Sequence, residues 1–269
     1  MSLIPGFFLD CVVAIGVRAH NRINWIGTGF VVAPGEGQET FLVTNRHVLK
    51  GNDHVFLRFN YFQELKSKDY LVEFSPKGQA VWLGHEEEKI DVAAFRIDQK
   101  ILKDEGIRLF FFQLDKNALL VADMSRVGLS EGDSVFFLGF PMGLVSDVKK
   151  YNHVIARNAV LSRVKDVFNS ERNNFIIDGN VMPGNSGSPV ITRPEIIAIE
   201  GTKPFSKACL IGVLKGYIPY ADIAVSKQTG RERIRFEENS GLAIVETVDS
   251  IKETINLFFK KSIIKQDKI

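Results

Sequence analysis

Pro183-Gly184-Asn185-Ser186-Gly187-Ser188-Pro189 sets a serine in a turn punctuated by glycine and proline, immediately before the apolar pair Val190-Ile191. Glycine supplies left-handed backbone and proline fixes φ, so such composition marks a tight connection rather than an element interior. Alone, the segment is an ordinary turn. Upstream, however, Thr44-Asn45-Arg46-His47 closes one apolar run and Ile90-Asp91-Val92-Ala93 opens another. A serine hydroxyl becomes nucleophilic when a base takes its proton, and an imidazole does so when a carboxylate fixes its tautomer. His47, Asp91 and Ser186 supply those three residue types, in that order along the chain.

Working outward, short runs rich in Val, Ile and Phe recur between Gly, Pro, Asn and charged clusters. They predict strands near 12–17, 29–33, 41–44, 55–59, 92–97, 134–140, 175–178 and 210–217, with a turn at 33–37. The mixed-polarity stretch 113–132 reads as the connection between two halves, residues 1–120 carrying His47 and Asp91 and residues 121–269 carrying Ser186. Each half holds about six short strands, enough for a small closed barrel that removes its own edges. At the C-terminus Ser250 and Glu253 have capping-box spacing, and Ile251, Ile255, Phe258 and Phe259 form one apolar stripe of a helix.

Composition narrows the function classes. The 269 residues are 45% hydrophobic and 25% charged, with 34 Lys and Arg against 32 Asp and Glu. That balance gives no nucleic-acid surface, and Lys149-Lys150 and Lys260-Lys261 read as solvated faces. No run reaches the ~18 apolar residues of a membrane span. The first ten residues lack a basic region and are interrupted by Pro5 and Asp10, a poor fit to a signal peptide. Two cysteines, Cys11 and Cys209, sit in apolar runs and read as buried thiols, which favours a reducing, cytoplasmic location.

Competing site readings are weaker. A G-x-S-x-G elbow of the α/β-hydrolase type requires the order Ser, Asp/Glu, His and a following helix, whereas Ser188 replaces the second glycine and a strand start follows. His20, His54, His85 and His153 form no ligand pair, so no metal is expected. Gly27-Thr28-Gly29 precedes a strand rather than a helix, which discards a phosphate loop. Glu86-Glu87-Glu88 reads as a solvated loop.

The segments Gly27-Thr28-Gly29-Phe30-Val31-Val32, Thr44-Asn45-Arg46-His47-Val48, Asp91-Val92-Ala93, Gly139-Phe140-Pro141-Met142-Gly143 and 183–189 together resemble the trypsin-like serine peptidases. They are most similar to the bacterial branch that includes the HtrA/Deg proteases, as is Asn239-Ser240-Gly241-Leu242-Ala243-Ile244 followed by a helix. The resemblance implies an all-β, chymotrypsin-like fold of two perpendicular six-stranded Greek-key barrels with a C-terminal α-helix. It implies Ser186 as nucleophile, His47 as base and Asp91 as its orienting acid. It places the oxyanion hole at Gly184, Asn185 and Ser186, with Gly184 and Ser186 offering N–H groups. It puts Asn180 at the base of a pocket for a small or medium apolar side chain, flanked by the substrate-pairing edge Leu214-Lys215-Gly216.

Three departures matter. Digestive members carry an aspartate before the serine that pairs with a newly cut N-terminus; Asn185 forms no such ion pair, so no zymogen cleavage is expected. With few residues after the C-terminal helix, the PDZ domain common in HtrA proteins is not expected. The stretch 193–208 is longer and is expected to reshape one wall of the cleft. The expected activity is cofactor-free hydrolysis of polypeptides by a serine endopeptidase, with no nucleic-acid or membrane partner and an open oligomeric state. Two rivals stand beside it: a silent peptide-binding module on the same fold, and an esterase using the same three residues.

Overall fold

The computed structural model describes residues 3–20, 22–37, 39–74, 81–147, 150–195 and 204–266. The first half is one sheet built from β1 (Val12–Ala19), β2 (Arg22–Ala33), β3 (Thr40–Thr44), β4 (His54–Asn60), β5 (Ser67–Glu73), β6 (Trp82–Gly84), β7 (Ala93–Ile97) and β8 (Phe112–Gln113). Its order is β5-β4-β1-β2-β3-β7-β6, antiparallel throughout, with β8 running parallel beside β2. The second half is a closed barrel, β10-β11-β14-β13-β12-β9, formed by β9 (Ser134–Gly139), β10 (Ile155–Arg163), β11 (Asn174–Asp178), β12 (Pro189–Thr192), β13 (Leu210–Val225) and β14 (Glu232–Thr247). This is the chymotrypsin-like fold.

The runs at 12–17 and 41–43 are apolar without interruption because both strand faces are covered. Along β1, Val12 and Ala14 enter the core between the halves, while Val13 and Ile15 enter the core inside the first sheet. Phe41 and Val43 of β3 likewise face the central core and Leu42 the other, as the two-residue period of a strand requires. A third core, around Phe137, Leu161, Phe175 and Val245, fills the barrel.

One expectation needs amending. Among the described residues the first half has eight strands rather than six, and its ladder is open, a sheet curled into a half-barrel. Its two edges approach where the Val81 N–H donates to the Phe74 carbonyl at 3.0 Å and the Phe74 and Trp82 rings lie 6.3 Å apart. Residues 75–80, between those edges, lie outside the described residues.

The C-terminal stripe forms as expected in α6 (Val248–Gln266), whose Ile251, Ile255 and Phe258 enter the central core. Its start differs. Thr247 caps the helix, its hydroxyl accepting from the Ser250 N–H at 3.4 Å, so Ser250 lies inside the first turn. Glu253 is not its capping partner but meets His85 Nε2 at 2.8 Å. Both cysteines are free and buried. Among the described residues no helix is long and apolar enough to cross a membrane, and no cluster of His, Cys, Asp and Glu could hold a metal.

Phe41 couples the first half to this helix, its ring lying 5.2 Å from that of Phe258 and 6.0 Å from that of Phe259. Phe41→Ala is expected to cost about 3–5 kcal/mol in urea unfolding and to loosen α6. A cost below about 1 kcal/mol would show that the helix docks without that aromatic contact.

Candidate active site

His47 lies in α2 (Arg46–Leu49), a single helical turn directly after β3, and half of its side chain is exposed. Asp91 lies two residues before the start of β7 and is buried. The two meet: His47 Nδ1 is 2.5 Å from Asp91 Oδ2, and the His47 backbone N–H donates to Asp91 Oδ1 at 3.1 Å. Asn45, fully buried, holds the acid from behind by donating Nδ2–H to the Asp91 carbonyl at 2.7 Å. With Nδ1 facing the carboxylate, Nε2 is the nitrogen left for proton transfer.

Charge follows the geometry. Burial alone would raise the Asp91 carboxyl, but the hydrogen bond and charge of His47, the His47 backbone N–H and nearby Lys215 outweigh it. The net shift is downward, so the Asp91 carboxyl is held in its ionised form beside the imidazole.

Ser186 arrives from the other half, in the turn before β12. Its carbonyl accepts from the Thr28 N–H of β2 at 2.8 Å. Gly27, next to Thr28, is where the halves converge. A Cβ there would sit 2.8 Å from Val48, the neighbour of His47, and 3.4 Å from the Ser186 carbonyl. The backbone of Ser186 and the helical turn of His47 therefore pack on the same point of β2. Among the described residues, no hydrogen bond joins the Ser186 hydroxyl to the His47 ring; such bonds are often loose in a substrate-free site.

Around the serine, the turn is fixed by backbone bonds. Gly184 has φ +92°, and a side chain there would collide with the Phe140 carbonyl. The Gly184 carbonyl accepts from the Thr28 hydroxyl at 2.8 Å, and the Pro183 carbonyl from the Met142 N–H at 2.5 Å. Asn185 donates its N–H to the Met182 carbonyl at 3.0 Å and accepts the Met182 N–H on Oδ1 at 3.1 Å. The Asn185 N–H is thus committed and drops out of the expected oxyanion hole. The N–H groups of Gly184 and Ser186 donate to nothing among the described residues, the state such a hole requires.

The residues expected to bind substrate separate. Asn180 is exposed, after β11, as a pocket residue would be. Leu214 is not available: its side chain is in the barrel core, its carbonyl accepts from Gly187, and its N–H donates to Ser188, both at 2.8 Å. Its apolar character was the signal for that core role. Lys215 turns its side chain inward to Glu246 and the Lys89 carbonyl, at 3.3 and 3.2 Å. From Lys215 through Gly216, the edge of β13 away from β14 has no strand partner among the described residues. In the stretch 193–208, residues 196–203 lie outside the described residues. Sequence reasoning missed Thr28, Asn45 and Glu246.

Residues 27–198, well over half of the chain and spanning all three candidate residues, match the family model described as a trypsin-like peptidase domain. The chain belongs to the trypsin-like peptidase family. The chain is also similar to two proteins named "Probable periplasmic serine endoprotease DegP-like", from Pseudomonas savastanoi pv. phaseolicola (strain 1448A / Race 6), 26% identical, and from Pseudomonas putida (strain GB-1), 25% identical. Each alignment covers 177 residues, 65% of this chain but only 28% of the relative. The chain therefore spans little more than a quarter of the relatives it matches.

Two outcomes test this geometry. A carboxyl depressed by folding adds stability that is complete above its ordinary value and is lost as pH falls through the depressed one. The stability gap between the wild type and Asp91→Asn is thus expected to be full above about pH 5 and to close at lower pH. A gap independent of pH would contradict the His47–Asp91 bond. Thr28→Val, which orphans the buried Gly184 carbonyl and Phe140 N–H, is expected to cost about 1–3 kcal/mol in denaturant titration.

Proposed function

We propose that the chain is a serine endopeptidase using His47, Asp91 and Ser186. The observation that carries the reading is the 2.5 Å bond from His47 Nδ1 to Asp91 Oδ2, next to a serine turn whose Gly184 and Ser186 N–H groups are unengaged. Ser186 Oγ attacks the carbonyl carbon while its proton passes to His47 Nε2. Asp91 holds Nδ1–H and stabilises the imidazolium without taking its proton. The Gly184 and Ser186 N–H groups receive the oxyanion. Nε2–H then protonates the leaving amine, giving an acyl-enzyme, and water activated by the same nitrogen releases the acid. No step requires a cofactor.

The free edge at Lys215 and Gly216 suits an extended polypeptide that adds as a strand, and uncharged Asn180 favours a small or medium apolar side chain before the cut. Asn185 latches to Met182 without an ion pair, which supports activity without N-terminal processing. The free, buried thiols fit a reducing compartment, whereas the named relatives are described as periplasmic.

A fluorophosphonate probe tests the assignment. The wild type is expected to be labelled across about pH 6–9, and Ser186→Ala not at all. An unlabelled wild type would favour the silent peptide-binding module. Casein is expected to be digested with the same dependence on Ser186. Turnover of small esters alone would assign an esterase.

A further inference from the structure

Behind Asp91 stands a second carboxylate that the three-residue mechanism does not use. Glu246 of β14 is fully buried. Its Oε1 accepts the Asp91 backbone N–H at 3.2 Å and Lys215 Nζ–H at 3.3 Å, while Oε2 is buried without a partner. Burial drives its carboxyl upward against the opposing pull of the Asp91 N–H and Lys215. An incompletely satisfied acid in a buried site is costly to keep. A barrel strand needing only packing at this point would be better served by an apolar side chain.

Lys215 explains what the acid does there. Leu214 pairs with Val245 and Gly216 with Ile244, so Lys215 is the extra residue of a bulge, a device that re-aims a side chain. The bulge sends Nζ inward, where it reaches both Glu246 and the Lys89 carbonyl. The segment 89–91 is thereby fastened twice, at the Lys89 carbonyl by Lys215 and at the Asp91 N–H by Glu246. Asn45 fixes the Asp91 carbonyl from the other side. With its peptide groups held, the Asp91 carboxylate has little freedom except toward His47.

We propose that Glu246 and Lys215 are a positioning pair, which sets the Asp91 backbone so that its carboxylate meets His47 Nδ1 and ties that setting to the free substrate edge of β13. The inference deepens the peptidase reading and rests on it for its kinetic consequence. Neither side chain touches substrate or the reacting atoms: that of Lys215 is turned to Glu246 and the Lys89 carbonyl, and only its backbone belongs to the substrate edge. Both lie beyond residues 27–198, the part matched by the family model.

The test compares the full chain with Glu246→Ala, Glu246→Gln and Lys215→Met. Two readouts are needed: kcat and KM on a peptide substrate, and the proton NMR resonance of His47 Nδ1–H. Misplacing a catalytic group by about 1 Å can cost about 100-fold, and a loss of that order in kcat is expected for Glu246→Ala, with KM near the wild-type value. Glu246→Gln keeps an acceptor for the Asp91 N–H and is expected to recover part of the loss. Lys215→Met is expected to lower kcat as well. The Nδ1–H resonance should move upfield in the variants in the order of their kcat losses. If Glu246→Ala does not fold, the Gln and Met variants carry the comparison. Unchanged kcat in the variants that fold would overturn the proposal, as would a kcat loss with an unmoved Nδ1–H resonance. A wild type without Ser186 labelling would refute the peptidase reading. The resonance still decides the positioning role then: identical in all four proteins, it overturns the pair; moved upfield in the variants, and further in Glu246→Ala than in Glu246→Gln, it supports it.

Discussion

Thr28 is buried on β2, and its polar atoms reach different parts of the chain. Its N–H donates to the Ser186 carbonyl and its hydroxyl to the Gly184 carbonyl, both at 2.8 Å. The same hydroxyl accepts the Phe140 N–H at 3.2 Å, and the Thr28 carbonyl accepts the Thr44 hydroxyl at 2.7 Å. One residue of the first sheet thus sets the serine turn, the chain leaving β9 and the end of β3 that leads to His47. A hydroxyl that both donates and accepts is required. Valine would match the shape and leave two backbone groups unpaired. In a dry site those groups find no water to replace the bond, so the penalty falls on the alignment of the two halves.

Once the halves are aligned, two neighbouring carboxylates are driven in opposite directions. Asp91 faces the His47 ring and backbone N–H, and these outweigh the cost of its burial. Glu246 receives one backbone N–H and a lysine on a single oxygen, and burial wins. Neighbouring acids with opposite shifts divide the labour: the one aimed at the imidazole stays charged, and the other holds the loop that carries it. Lys215 is shared, so the charge that steadies Glu246 also lies near Asp91.

The strands buried on both faces were legible in the sequence, because covering both faces removes the polar alternation and leaves a plain apolar run, as at 12–17 and 41–44. Strands with an exposed face were not. β5 reads Ser-Lys-Asp-Tyr-Leu-Val-Glu, and the outer part of β14 reads Glu-Arg-Ile-Arg-Phe-Glu-Glu, where solvent supplies the partners that a core would otherwise demand. His47 and Asp91 could be paired from their settings at strand ends. Leu214 leaves the substrate-pairing edge because its N–H and carbonyl are taken by Ser188 and Gly187, pairings between residues distant in the chain that the sequence does not show. Glu246, between Val245 and Thr247, has the look of a solvent-facing strand residue. It is interior because the second face of β14 is covered by the Asp91 segment and Lys215, a cover that the sequence does not announce.

Asn185 illustrates how the serine turn keeps its shape without a distant charge. Its N–H and its side-chain oxygen both engage Met182, closing a local two-bond latch. The side chain is fully buried, its Nδ2 has no partner, and no cation is bonded to it among the described residues. An aspartate in that place would bring an uncompensated charge into a dry site and would need a counter-charge from elsewhere. The amide supplies the same acceptor while remaining neutral, so the latch closes with folding itself. It also draws the Asn185 N–H away from the cleft while those of Gly184 and Ser186 stay unengaged. The residue that removes the need for an activating ion pair thus also selects which two donors are left to meet an oxyanion.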